Sequence, residues 1–243
     1  MKHIPNMVTL GNLACGLLGI SQVLQGQMQL AFLFMLLGAV LDFFDGFLAR
    51  ALKADGELGK QLDSLADLVT FGVLPGLIWR FYMNAMGFCN PNGFCINAYV
   101  WLFIPLGAAY RLAKFNIDTR QTTGFLGVPT PITGITLASW AWMLDTSGNY
   151  NWAFVNIVPY FQYFYMLLYM PLLASYLMIS DWPMLALKFK SGDPLNAWKY
   201  ALLAVGALSI IVFGSAGIAT FYFAYLAISF ISNSVVKSNP SKL

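Results

Sequence analysis

Charged residues are scarce in this chain: Asp, Glu, Lys and Arg make up 9% of its 243 residues, and its mean hydropathy is +0.68. Because soluble domains contain roughly 25% charged residues, this composition excludes an ordinary soluble domain. Three cysteines are too few for a disulfide framework, and we expect no metal-binding or catalytic role for the single histidine, His3. Repeats and low-complexity tracts are also lacking. We therefore expect an integral membrane protein.

Long apolar runs take the place of the missing charges. A helix needs about 20 apolar residues to cross the roughly 30 Å hydrocarbon core of a bilayer. Eight runs approach that length, near residues 6–25, 28–50, 62–86, 97–116, 130–145, 156–180, 198–214 and 216–233. The sequence thus predicts an all-α, polytopic transmembrane helical bundle of about eight helices.

The basic residues test this topology. If the chain has eight spans and a cytoplasmic N-terminus, every one of the thirteen Lys and Arg residues except Arg80 lies on or near the cytoplasmic side. Such a bias is typical of multi-pass proteins of the cytoplasmic membrane, so we expect both termini on that side. Topology then explains the net charge of +3, and no nucleic-acid partner is expected. Cys89 and Cys95 share one predicted external loop, where a bridge and two free thiols remain equal alternatives.

The few acidic residues are clustered. Of ten, four fall in one predicted helical hairpin, at Asp42, Asp45, Asp63 and Asp67. The first two are three residues apart and the second two are four apart, so each pair shares one face of its helix. Asp45 precedes Arg50 by five residues and Asp63 follows Lys60 by three, which places both pairs at a similar depth. We therefore expect the four carboxylates to converge near one end of the hairpin.

Four neighbouring carboxylates at membrane depth require positive charge, because burying one unpaired carboxylate costs several kcal/mol. One interpretation is a cap of salt bridges to Arg50, Lys53 and Lys60. The other is a divalent-cation site, since hard carboxylate oxygens are the ligands that Mg²⁺ and Mn²⁺ prefer. The small residues Gly46 and Gly59 favour the second interpretation, because together they describe a lined cavity.

The acids belong to a longer motif, Asp42-x2-Asp45-Gly46-x2-Ala49-Arg50-x8-Gly59-x3-Asp63-x3-Asp67. This motif resembles the full signature of the CDP-alcohol phosphatidyltransferase family. The stretches IPNMVTLGNLACG, DSLADLVTFGVLP, RLAKFN and GFLGVPTP look like the phosphatidylserine synthase branch of that family. The resemblance covers residues 4–180 and implies a catalytic core of six transmembrane helices in residues 1–180. Residues 181–243 would then add a C-terminal pair of helices.

The resemblance implies a reaction and roles for individual residues. The substrates would be CDP-diacylglycerol and L-serine, the products phosphatidylserine and CMP, and the assembly a homodimer in the bilayer. Asp42, Asp45 and Asp63 would hold one Mg²⁺ or Mn²⁺ ion, and Asp45, Asp63 and Asp67 a second. Asp67 and Asp63 would be catalytic, with Asp67 as the base. The substrate would contact Asp42, Arg50 and the small residues Gly46, Ala49 and Gly59.

Two further sets of polar residues lie near the same membrane face. Pro5 and Asn6 fit the start and cap of the first helix, and Asn6 and Thr9 fit a polar wall for the nucleotide equally well. Arg111 and Lys114 share one helical face. They fit topological anchoring about as well as binding of a phosphate or of the serine carboxylate. All four are therefore predicted candidates for substrate binding.

Three other functions remain open. Within the family, glycerol phosphate or inositol are alternative acceptors, because only the branch resemblance indicates serine. Outside it, acids in a membrane also mark the ion pathways of divalent-cation transporters. The third alternative is a helical assembly subunit whose acids are merely paired.

Overall fold

The computed structural model describes residues 3–54, 56–85, 96–118, 125–146, 164–185 and 195–238. The chain forms the helices α1 (Ile4–Leu24), α2 (Met28–Ala51), α3 (Glu57–Asp67), α4 (Leu74–Ala85), α5 (Phe103–Ile117), α6 (Thr130–Thr146), α7 (Phe164–Ile179), α8 (Asn196–Phe213) and α9 (Ser215–Ser238). A π-helical turn, Leu68–Val73, joins α3 to α4, and a 3₁₀ turn, Ile96–Leu102, precedes α5. Strands β1 (Phe125–Leu126) and β2 (Pro183–Met184) form a two-residue antiparallel ladder.

The predicted helical bundle is confirmed. With α3 and α4 counted as one continuous helix, the described residues form eight helices, and each matches one predicted run. The third helix begins at Glu57, five residues before the apolar run that predicted it. Its first turn contains charged residues and suits a helix that starts in the interface and then enters the membrane. Cys89 and Cys95 lie outside the described residues, and the division at residue 180 stays a prediction.

Three of these helices are long and apolar enough to cross a membrane: Ile4–Leu24, Met28–Ala51 and Glu57–Asn84. Large apolar side chains on their outer faces are exposed, for example Met7 at 69% and Phe43 at 66%. In water such a surface would promote aggregation, but in a bilayer it contacts lipid. Together with its composition, these helices make the chain a membrane protein.

The inner faces pack into two apolar clusters. The first surrounds α2, the π-helical turn and α4, and its fully buried members include Met35, Phe71 and Leu74. The second lies between α7, α8, α9 and the segment that follows β1, with Val128 and Leu202 at 0% exposure. The first cluster thus supports the hairpin that contains the four acids.

The π-helical turn directly after Asp67 is held by unusually close helix packing. A Cβ at Gly16 of α1 would lie 2.5 Å from Thr70 Oγ1, and one at Gly134 of α6 would lie 2.4 Å from the Phe71 carbonyl oxygen. Only glycine allows this approach. Thr70 Oγ1 also donates a hydrogen bond of 3.1 Å to the Asn12 carbonyl oxygen. The turn, and Asp67 before it, are therefore fixed against α1.

Gly134→Ala should lower the free energy of unfolding by about 1–3 kcal/mol, the usual cost of overpacking, because the new methyl group meets backbone atoms. Gly11→Ala is the matched control: it adds the same methyl group to a helix, but meets only the end of the Leu41 side chain, at 3.3 Å. Thermal unfolding of both variants in detergent measures the difference. Equal midpoints would contradict the proposed packing.

Candidate active site

A cavity of about 820 Å³ lies between the first turns of α1, the last turns of α2 and the length of α3. Such a volume lies within the range of small-molecule sites, roughly 300–1,000 Å³. Its walls combine acidic, basic and small residues: Pro5, Asn6, Thr9, Asp42, Phe43, Asp45, Gly46, Ala49, Arg50, Ala54, Gly56, Glu57, Gly59, Lys60, Asp63 and Asp67. The hairpin motif of the sequence therefore lines one continuous space.

Three carboxylates converge in this cavity. One oxygen from each of Asp42, Asp63 and Asp67 lies within 4.8 Å of the other two. Asp67 is 6% exposed, whereas the other two side chains are half-buried and reach the cavity from facing helices. The convergence predicted from the spacing of the acids is thus confirmed for these three residues. A cluster of this kind can bind a metal ion.

Asp45 lines the same cavity but does not belong to the group of three. It is 5% exposed, and its Oδ2 atom is buried without a hydrogen-bond partner in the described part of the chain. A buried oxygen with no donor is costly, and the cost is greater for a carboxylate. This orphaned oxygen and the three converging carboxylates fit the donor set of a hard divalent cation.

The alternative of a salt-bridged cap finds no support in the described residues. There, no Lys or Arg nitrogen lies within 4.0 Å of a carboxylate oxygen of Asp42, Asp45, Asp63 or Asp67. Lys60 Nζ instead donates to the Asn116 carbonyl oxygen at 2.7 Å. The cavity therefore contains carboxylates without side-chain counter-charges in contact with them.

Helix α1 supplies a polar wall. The helix begins at Ile4 with His3 as its N-cap and Pro5 in its first turn, so Pro5 lies at the helix start as predicted, but Asn6 lies inside the helix and is not its N-cap. Asn6 and Thr9 instead line the cavity, although the Thr9 hydroxyl donates to the Pro5 carbonyl oxygen. Deeper in the helix, the fully buried Asn12 donates from Nδ2 to Asp67 Oδ1 at 3.4 Å. Asn12 thus helps to orient the Asp67 carboxylate.

Gly46, Ala49, Arg50 and Gly59 lie where the motif predicts, on the cavity wall. A Cβ at Gly46 would have only Arg50 Nη1 within 4 Å, at 3.9 Å, whereas one at Gly59 would lie 3.2 Å from Asn6 Oδ1. Gly46 therefore leaves open space on α2, and Gly59 lets the asparagine of α1 approach α3. Their roles toward a ligand stay predictions.

Arg111 and Lys114 do not line the cavity and have protein partners instead. Arg111 is 6% exposed, and its Nε and Nη2 atoms donate to the carbonyl oxygens of Val128 and Gly127. Lys114 Nζ forms a salt bridge of 2.8 Å with Asp181. Contact between substrate and these two residues stays a prediction, but both also fix neighbouring segments.

Sequence reasoning missed one connection that positions α3. Asn116 at the end of α5 donates from Nδ2 to Ser64 Oγ at 2.9 Å and accepts, at its carbonyl oxygen, the bond from Lys60. Ser64 follows Asp63 directly, so this contact holds the helix segment that contains two of the acids. In the sequence, the only sign of this connection was the asparagine that ends the RLAKFN stretch.

Comparison with known proteins adds independent information. The sequence pattern of CDP-alcohol phosphatidyltransferases matches residues 2–230. CDP-diacylglycerol–serine O-phosphatidyltransferase of Bacillus subtilis (strain 168) is 40% identical over 138 residues, 56% of this chain and 74% of the relative. Archaetidylserine synthase of Methanothermobacter thermautotrophicus is 32% identical over 139 residues, 56% of both chains. The yeast Saccharomyces cerevisiae enzyme named CDP-diacylglycerol–serine O-phosphatidyltransferase is 40% identical over 114 residues, 43% of this chain and 38% of the relative.

Proposed function

Because this chain belongs to the CDP-alcohol phosphatidyltransferase family, we propose that it transfers the phosphatidyl group of CDP-diacylglycerol to the hydroxyl of L-serine. The products are phosphatidylserine and CMP. The observation that supports the reaction is the convergence of Asp42, Asp63 and Asp67 within 4.8 Å on the wall of a cavity of suitable volume. The choice of serine rests on the relatives, whose names include serine as acceptor or as part of the product.

Two divalent cations, Mg²⁺ or Mn²⁺, complete the site in this proposal. Asp42, Asp45 and Asp63 would hold the first, and Asp45, Asp63 and Asp67 the second. When bound, the cations would neutralise the diphosphate, offset its repulsion from the carboxylates and stabilise the charge that develops on the leaving CMP. The orphaned Oδ2 atom of Asp45 supports this assignment, because it provides a ligand without a competing donor.

The chain's own residues then bind and orient the reactants. Asp67 accepts the proton of the serine hydroxyl as its oxygen attacks the phosphorus of the lipid-bearing phosphate. The bond from that phosphorus to the CMP oxygen breaks, and CMP leaves with the electron pair. Asn12 orients the base through the contact at 3.4 Å. Asp63 lies on the same face of α3 and is the second catalytic residue in this proposal.

The nucleotide part of the substrate occupies the outer cavity in this proposal. It contacts Asn6 and Thr9 of α1 and the motif residues Gly46, Ala49 and Gly59, with Arg50 on a phosphate and Asp42 near the diphosphate. Arg111 and Lys114 are kept as secondary candidates for the serine carboxylate. An aromatic side chain supports entry of the lipid from the membrane, because Phe43 lines the cavity and is also 66% exposed.

The cavity faces the cytoplasm in this proposal, and the protein is a multi-pass protein of the cytoplasmic membrane with both termini inside. The basic residues Arg50, Lys53 and Lys60 near the cavity support this orientation. A lipid-linked nucleotide and an amino acid from water can both reach a site at that interface. The family resemblance further suggests a homodimer.

A transport pathway is less well supported than catalysis. Below the acids, on the same helices, the side chains of Met35, Phe71 and Leu74 are at most 1% exposed and belong to the apolar core. Ion pathways need polar groups along their length. In the described residues, the polar cavity thus ends in tightly packed apolar side chains.

The proposed function predicts which alcohol the enzyme accepts. Purified protein in mixed micelles with CDP-diacylglycerol and Mn²⁺ should release CMP with L-serine, and not above the no-acceptor rate with glycerol phosphate or inositol. The reaction without acceptor controls for hydrolysis, and mass spectrometry identifies the lipid product. Release of CMP with another acceptor but not with serine would reject the serine assignment while keeping the family chemistry.

A further inference from the structure

Helix α9 is joined to the strand β2 and its next residue by three polar side chains. Tyr225 donates from its hydroxyl to the Leu185 carbonyl oxygen at 3.2 Å, and Ser229 Oγ accepts from the Leu185 amide at 3.2 Å. Asn233 donates from Nδ2 to the Pro183 carbonyl oxygen at 2.6 Å. Residues four apart lie on one face of a helix, so all three side chains face the same strand. We call Tyr225, Ser229 and Asn233 the C-terminal brace.

The segment that follows β1 is held by Trp182, the residue before β2, and by α7. The Gly127 amide donates to the Trp182 carbonyl oxygen at 2.9 Å, and the Val128 amide to the Leu177 carbonyl oxygen at 3.1 Å. Gly127 has φ of +73°, and a Cβ there would lie 2.3 Å from the Met178 carbonyl oxygen. The segment Gly127–Val128 is therefore held from the side of α7 and β2.

The same segment determines where Arg111 lies. The carbonyl oxygens of Gly127 and Val128 accept the two guanidinium bonds, so a shift of this segment moves the buried cation. A continuous set of contacts thus runs from α9 through the ladder and the segment Gly127–Val128 to Arg111, a candidate for the serine carboxylate in the proposed function.

We propose that α9 is a positioning element of the active site: the C-terminal brace fixes Gly127–Val128 and thereby the position of the Arg111 guanidinium, which donates to both carbonyl oxygens. In this role α9 affects the reaction indirectly, because the C-terminal helices contribute no residue to the cavity described above. This role rests on the proposed function for its effect on turnover, but its effect on the segment Gly127–Val128 is independent of any activity.

Two serines of α9 provide a matched test. Ser229 and Ser232 are 1% and 0% exposed. Ser229 Oγ accepts from the amide of Leu185, the residue after β2, whereas Ser232 donates to the carbonyl oxygen of Ser229 within the helix. Ser229→Ala should speed hydrogen exchange of the Gly127 amide, whose acceptor Trp182 adjoins β2, roughly three- to ten-fold, the effect of losing one buried hydrogen bond. Ser232→Ala should leave it at the wild-type rate. Equal exchange in both variants would overturn the proposal.

Kinetics test the link to the site. A smaller folded fraction lowers only the maximal rate, whereas displacement of Arg111 also changes how the reactants are bound. We expect Ser229→Ala to raise the KM for L-serine at least about threefold, with Ser232→Ala unchanged. Faster exchange with an unaltered KM would overturn the positioning role.

If Ser229→Ala does not fold, Tyr225→Phe provides the same comparison, because it removes only the hydroxyl group. If the wild-type protein shows no turnover, the proposed function fails, while the exchange comparison still tests the brace.

Discussion

Asp67→Asn should reduce CMP release by about 10²- to 10⁴-fold, the range associated with loss of a general base. The amide has the shape of the carboxylate and can still accept the bond from Asn12, but it cannot take a proton from the serine hydroxyl. The measurement is the rate of CMP release at saturating CDP-diacylglycerol and L-serine.

Asp118→Asn is the matched control for that substitution. Asp118 follows the last residue of α5 and does not line the cavity, so the same chemical change there should leave turnover near the wild-type rate. Elution from a sizing column and circular dichroism check that both variants are folded. An Asp67→Asn protein that retained more than about a tenth of the activity would exclude Asp67 as the base, because general-base loss costs far more.

The carboxylate cluster was predictable because its determinants are local. Helical spacing places Asp42 on the same face as Asp45, and Asp67 on the same face as Asp63. A short connection forces the two helices to run antiparallel. The position of each acid along its helix and the reversal of the hairpin therefore determine the depth of the acids and the helix face on which they lie. No knowledge of distant contacts is needed. Hydropathy likewise located each helix in the part of the chain that the structure describes, because a bilayer requires long apolar runs.

The contacts of Arg111 were not predictable, because they depend on residues far away in the sequence. An arginine near a helix end fits an anchor, a ligand contact or a bond to backbone equally well until its neighbours are known. Its partners follow β1, a strand of two residues, which is too short to show an alternating pattern. The π-helical turn after Asp67 also has no periodic signal, since it differs from an α-helix by one residue per turn.

Chelation of divalent cations should abolish CMP release, and added Mn²⁺ or Mg²⁺ should restore it. Asp42, Asp63 and Asp67 lie close enough to share a cation, and no basic side chain of the described residues pairs with them. Without a cation, their charges repel the diphosphate of the substrate. Wild-type turnover in excess chelator, equal to that with Mn²⁺, would reject the proposed metal dependence. Asp118→Asn should respond to chelator and Mn²⁺ as the wild-type protein does.

Cation binding should also be visible without substrate, as an increase in thermal stability. A ligand at about 100 times its dissociation constant stabilises the folded state by about 2.7 kcal/mol. Mn²⁺ should therefore raise the unfolding midpoint of the wild-type protein, and Asp63→Ala should lose most of that increase along with turnover. The midpoint of Asp63→Ala without metal should be equal to or above that of the wild type, because one of the mutually repelling carboxylates is gone. If Mn²⁺ stabilises both proteins equally, the ions bind somewhere other than the cavity between α2 and α3.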